Sequence, residues 1–151
     1  MQISIANLED LNQLTPLFDA YREFYGQASD TTAARAWLET NLSKNRSTLL
    51  IASDPEHSHA VGFTQLYPAL CSVDLVSYYV LYDLFVEPNC RRRGVGRALV
   101  DRAAEWATAQ GAARIDLETA HSNVTAAALY RQAGYVADRV FQKYSLNLLR
   151  E

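Results

Sequence analysis

The segment that most restricts this chain runs from Val76 to Gly111. Residues 76–86 (VSYYVLYDLFV) are rich in Val, Tyr, Leu and Phe, as expected of a strand at the centre of a sheet. Pro88 closes that strand, because proline cannot donate to a ladder. The chain then reads Arg91-Arg92-Arg93-Gly94-Val95-Gly96-Arg97. An apolar stripe at helical spacing follows directly, with Val95, Leu99, Ala103 and Trp106 on one side and Gly111 at the end. A buried strand that passes through a glycine loop into an amphipathic helix requires helices stacked on a sheet.

The rest of the chain fits that frame. Gln2 to Ala6 alternates as a short strand. Asn7 precedes Glu9 and Asp10, acids suited to a first helical turn, and Leu11, Leu14, Leu17, Phe18 and Tyr21 recur at helical spacing. Gly26 interrupts this helix. A second is expected after Ser29-Asp30, with Ala33, Ala36, Trp37 and Leu42 as its apolar side. Residues 48–52 and 60–67 read as the arms of a hairpin around a polar turn that holds His57 and His59, with Pro68 as its stop. Residues 114–119 form another strand. Asn123 caps a short helix through Tyr130 and Arg131, ended by Gly134. Residues 136–149 supply one or two last strands, in which Tyr144, Leu146 and Leu148 alternate. With 151 residues and no repeat or linker, the order is that of one mixed α/β (α+β) domain over residues 1–151.

What the glycine loop can hold follows from its position. The first turn of a helix carries N–H groups without intrahelical partners and a partial positive charge, and phosphates bind there. Gly94 and Gly96 lack Cβ, so an anion can approach the main chain, and the arginines add charge-assisted donors. A P-loop is excluded by the spacing and the missing lysine, and a dinucleotide fingerprint by Leu99 where a third glycine would stand. A solvated turn is the plain alternative on this span alone. A general polyanion binder is disfavoured by the net charge of −3 and by the single basic cluster. Cys71 and Cys90 have no histidine partners at metal spacing, so no metal is expected. Two thiols without a disulfide framework, no apparent signal peptide and no membrane-length apolar run fit a soluble cytoplasmic protein without a membrane partner.

The wider stretch YDLFVEPNCRRRGVGRALV resembles the central motif of the GNAT superfamily of N-acetyltransferases, here Arg91-x-x-Gly94-x-Gly96 after a hydrophobic strand and proline. A second block, ETAHSNVTAAALYRQAGY, is similar to the family's later motif through Asn123, Tyr130, Gly134 and Tyr135. The resemblance implies a GNAT-like fold: a central mixed, mostly antiparallel sheet of about six to seven strands with about four flanking helices. It implies acetyl-CoA as co-substrate and an amine as acceptor. Arg91, Arg92, Arg93, Gly94, Val95 and Gly96 would hold its pyrophosphate through main-chain amides, with Arg97 near the phosphates. Leu84, Phe85 and Val86 would pair with the pantetheine arm, and Asn123 and Tyr130 would complete the cofactor site.

Acetyl transfer needs a polarised carbonyl, a proton for the leaving thiolate and a neutral amine. By the same resemblance, a backbone N–H near Phe85 or Val86 polarises the carbonyl, and Tyr130 is the acid. The base is left open. Where relatives often carry a glutamate this chain has Tyr79 and Tyr82. Asp83 is the acid within the strand, pointing opposite to Tyr82 if the strand is regular. Glu118, Glu23 and a water chain are alternatives. Glu23, Tyr25 and Tyr82, with Tyr21, Phe24 and Asp30 nearby, suit a cationic amine through charge and ring contacts, though core packing explains the aromatics equally well. His121 reaches the site only if its loop folds inward. The strand motif looks closest to the polyamine, diamine and histone-type branch, which implies a polyamine-like molecule or a lysine side chain. Other readings are a non-catalytic acyl-CoA sensor and a nucleic-acid module. Residues 140–149 are the candidate edge for a homodimer.

Overall fold

The structure is a computed structural model that describes residues 1–56 and 58–149; the turn residue His57 lies outside them. The elements are β1 (Gln2–Ile5), α1 (Leu11–Phe24), α2 (Thr31–Ser43), β2 (Thr48–Ser53), β3 (Ala60–Cys71), β4 (Val76–Val86), α3 (Val95–Ala109), β5 (Ile115–Asp116) and α4 (Val124–Gln132). Short 3₁₀ turns at Leu8–Asp10 and Pro88–Cys90 lead into α1 and the glycine loop. The sheet order is β1-β2-β3-β4-β5. The first four strands are antiparallel neighbours, and β5 runs parallel to β4. The result is the expected mixed α/β architecture with four α-helices, but with five strands rather than six to seven.

Two apolar layers enclose the sheet. On one face α1 and α2 pack Leu14, Leu17, Phe18 and Leu38 against Phe63 and Phe85. On the other, α3 and α4 pack Val95, Leu99, Ala103 and Tyr130 against Leu50, Val61 and Leu81. Local chemistry sets the helix starts. Asn7 and Asp10 form a reciprocal capping box, Asp30 accepts from the Ala33 amide, and Asn123 accepts from the Ala126 amide.

Three sequence expectations are corrected. The buried side of α2 is Ala34, Leu38 and Asn41, while Ala33, Ala36 and Trp37 face outward. Pro68 does not stop β3, which continues to Cys71. β2 reaches only to Leu66, so Pro68 sits where β3 has an open edge and a missing N–H is tolerated. Residues 136–149 form no strand, and their large apolar side chains are exposed because no neighbouring strand receives them. No helix among the described residues is long and apolar enough to cross a membrane.

Gly62 pairs with Val86 at the end of the β3–β4 ladder. A Cβ there would lie 2.8 Å from the Phe85 carbonyl oxygen. Gly62→Ala should therefore destabilise the domain by about 1–3 kcal/mol, measured as a lower urea midpoint at unchanged slope.

Candidate active site

The strand that carries the site is held on both sides only at its start. β5 pairs with β4 at Tyr79 and Val80 and then ends, so it stops short of the much longer ladder with β3. The Glu87 amide bonds to the Val61 carbonyl on β3. The Phe85 carbonyl also faces β3, at Gly62. Alternation along the strand then directs the main-chain groups of Leu84 and Val86 to the opposite, open edge. The sequence left the free amide at Phe85 or Val86; the geometry favours Leu84 and Val86, with Phe85 bonded inward.

A register shift makes the two faces of β4 different. Gln65 pairs with Asp83 and Leu66 with Leu81, which leaves Tyr82 as the extra residue of a bulge. Leu81 joins the α3 side and Phe85 the α1 side. Tyr82 is 67% exposed and Asp83 only 4%. Asp83 accepts from Gln65 Nε2 (2.5 Å), and the Gln65 Oε1 accepts from Ser47 (2.6 Å) and Asn41 (3.2 Å). Asn41 reaches on to the Tyr67 hydroxyl, whose ring meets that of Tyr82 edge-on. The Tyr21 hydroxyl donates to the Tyr82 carbonyl (3.5 Å) and lies close enough to the Asp83 carboxyl to favour its charged form. Burial raises the Asp83 pKa above the ordinary carboxylate range, while the bonds from Gln65 and Tyr21 pull it back in part. Sequence reading missed Gln65, Asn41 and Ser47, since only their shared burial marks them.

The glycine loop delivers an open helix end next to this edge. Gly94, at φ +80°, is the N-cap of α3, and no side chain caps the first turn. Gly96 faces Leu129 of α4, where a Cβ would already touch the leucine at 3.4 Å. The side chains of Arg91 and Arg97 are directed elsewhere. Arg91 Nε donates to the Val86 carbonyl (2.9 Å), with its guanidinium over the Phe85 and Phe24 rings. Arg93 borders a shallow depression with Asp54 and Glu56. Arg97 forks onto Asp101 (2.8 and 2.9 Å) and reaches the Gln132 carbonyl. Arg92 adopts a left-handed φ of +61°. Main-chain N–H groups, rather than the Arg97 side chain, are what this loop leaves available to an anion.

Tyr130, on α4, is buried against Tyr135. Burial first, then Tyr25 and Tyr135, push its pKa up to about 12, so the phenol keeps its proton at neutral pH. Tyr25 also packs on Tyr21 (5.1 Å), so the end of α1 joins the two sides of the site. Glu23 and Tyr25 are exposed there. The α1–α2 turn is fixed by buried Asp19, which accepts from Ser29 and from the Asp30 amide. Other candidates have structural partners: Tyr79 stacks edge-on with Trp106, Glu118 pairs with Lys143, and Asp30 caps α2. His121 is exposed in the turn before α4. Among the described residues no cluster could hold a metal ion.

A raised Asp83 pKa means that the folded chain binds more protons than the unfolded one between the two pKa values. Its contribution to stability therefore falls as pH rises through that window and is level above it. Asp83→Asn should gain stability relative to the parent as pH rises above the ordinary carboxylate range, read from paired urea midpoints.

Comparison with known proteins agrees with this geometry. The acetyltransferase (GNAT) family model matches residues 14–135. The uncharacterized N-acetyltransferase YhfO of Bacillus subtilis (strain 168) is 43% identical over 148 residues, 98% of each chain. A probable acetyltransferase of Haemophilus influenzae is 35% identical over 106 residues, 70% of this chain and 72% of its own. The crystal structure of a probable acetyltransferase superposes with a TM-score of 0.94 at 35% identity, covering 100% of both chains. With the family model spanning most of the domain and a relative matched along nearly its whole length, this chain belongs to the GNAT family of acetyltransferases.

Proposed function

We propose that this protein transfers the acetyl group of acetyl-CoA to a primary amine, by direct attack while both substrates are bound. The observation that carries the reading is the open β4 edge beside the uncapped start of α3. An extended pantetheine arm fits the edge as a neighbouring strand would, and the pyrophosphate fits the helix N-terminus. Bound there, acetyl-CoA supplies an activated acyl group. The chain's own residues supply the rest.

The Leu84 and Val86 amides offer hydrogen bonds to the acyl oxygen, whose negative charge grows during attack. Tyr130 provides a protonated phenol for the departing sulfur. Its raised pKa makes full proton transfer to a thiolate of ordinary basicity unfavourable, so its main contribution is a hydrogen bond donated as charge develops. The amine proton passes to Asp83 through the Tyr21 hydroxyl, which gives its own proton to the carboxylate as it accepts one. Tyr82 and the exposed acid and ring at Glu23 and Tyr25 suit a cationic acceptor. That chemistry fits a polyamine-like molecule or a lysine side chain.

Tyr130→Phe should lower kcat by about 10²-fold while acetyl-CoA affinity is kept, measured by thiol release and by calorimetry. Asp83→Asn should remove the acidic limb of the kcat/KM profile with a polyamine acceptor. Tight binding of acetyl-CoA without acetylation of any amine in a broad panel would instead identify an acyl-CoA sensor.

A further inference from the structure

Gln65 sits where three elements meet. It stands on β3 opposite Asp83 of β4, and Asn41 reaches it from α2 and Ser47 from the residue before β2. Its side chain is fully buried, on a strand whose Phe63 and Leu66 are core residues. A glutamine amide has two ends of opposite chemistry, an oxygen that accepts two hydrogen bonds and a nitrogen that only donates. Both places on Oε1 are filled, by the Ser47 hydroxyl (2.6 Å) and the Asn41 amide nitrogen (3.2 Å). That turns the Gln65 nitrogen to Asp83 Oδ2 (2.5 Å). Asn41 is anchored in its turn, because its nitrogen also donates to the Tyr67 hydroxyl (3.3 Å), which the Trp37 side chain bonds as well. Reversing the Gln65 amide would set N–H against N–H at Asn41 and oxygen against oxygen at Asp83. Inside the protein such a pairing costs more than a lost bond.

No ionic partner shares this task. Among the described residues no cation pairs with Asp83, and the titratable groups that act on it are phenols, Tyr21 from α1 and Tyr67 from β3. The charges on the neighbouring elements are spent on each other: Arg22 with Asp19 on α1, Arg97 with Asp101 and Arg102 with Glu105 on α3, and Asp116 of β5 with Arg114. Burial works against the charged form of Asp83, and the Gln65 N–H is the stronger of the two contacts that oppose it.

We infer that Gln65 is a positioning residue for the proton transfer proposed above: Ser47 and Asn41 hold its amide nitrogen toward Asp83, which keeps that carboxylate charged and able to take the Tyr21 proton. The inference rests on the reading of Asp83 as the proton acceptor. In that step the Tyr21 O–H breaks as a carboxyl O–H forms on Asp83, and the amine returns a proton to Tyr21. One proton moves from amine to carboxylate and no electrons are exchanged. With the amide removed, Asp83 would hold its proton over more of the neutral range, and fewer molecules would be ready to accept one.

The test compares Gln65→Leu and Ser47→Ala with the parent by two readouts. The first is a carbon-13 NMR titration of the Asp83 carboxyl in the free protein, its signal assigned by its loss in Asp83→Asn. The midpoint should rise by about one pH unit in Gln65→Leu and by a smaller amount in Ser47→Ala, whose lost bond goes to Gln65. The second is the pH profile of kcat/KM with a polyamine acceptor, whose acidic limb should move upward by the same amounts, with the rate recovering toward that of the parent at high pH. An unmoved carboxyl midpoint in Gln65→Leu, with the rate lowered equally at every pH, overturns the inference, since it marks a structural role alone. An unmoved midpoint in Ser47→Ala overturns the orienting role, and this milder variant decides the matter if Gln65→Leu does not fold. A midpoint that moves while the acidic limb stays fixed supports the hold of Gln65 on Asp83 and defeats instead the reading of Asp83 as proton acceptor.

Discussion

β4 is paired by β3 along its length and by β5 only at Tyr79 and Val80, and the rest of the site depends on that one-sided pairing. A central strand normally spends its main-chain groups on two neighbours. Here one edge past Val80 is left available, beside the glycine loop from which α3 starts across the sheet. The bulge at Tyr82 adds a second asymmetry, because it turns Asp83 and Phe85 toward α1 while Leu81 still faces α3. Without that extra residue, regular alternation would put Leu81 and Asp83 on the same face, and one of them in the wrong layer.

The polar groups under this strand show what such an arrangement requires. Asp83, Gln65, Asn41 and Ser47 are all buried, and each is hydrogen-bonded to another. A buried carboxylate without those donors would carry its full desolvation cost, whereas a connected network keeps it in place at a modest one. The same low-dielectric surroundings act on Tyr130, whose phenol is held protonated. A buried carboxyl group on the α1 side and a protonated phenol on the α4 side thus flank the open edge from opposite layers.

Much of this was legible in the residues because it is local. Asn7, Asp30 and Asn123 announce helix starts by cap chemistry, and each caps where expected. The strand, glycine loop and helix around Gly94 were readable for the same reason. What escaped is non-local. Pro68 reads as a stop until one knows that β2 ends opposite Leu66. Trp37 fits an apolar stripe by periodicity, but the sheet meets α2 one residue further on, through Ala34, Leu38 and Asn41. Gln65 looks like an outward residue of a hairpin until Asp83 is found beside it. The alternation in residues 136–149 is a strand signal in the sequence, yet no strand forms there.

The arginine loop carries its charge in an unexpected way. Arg97 is committed to Asp101 and Gln132, and Arg91 to the Val86 carbonyl and two rings, so their guanidinium groups brace the loop from behind. Gly94 supplies a left-handed φ that a side chain would strain, and Gly96 faces Leu129 of α4 with room for little more than a methyl. The two glycines therefore constrain the loop in different ways. Gly94 is tied to its left-handed φ, whereas Gly96, inside α3, is limited by the contact a side chain would make with Leu129.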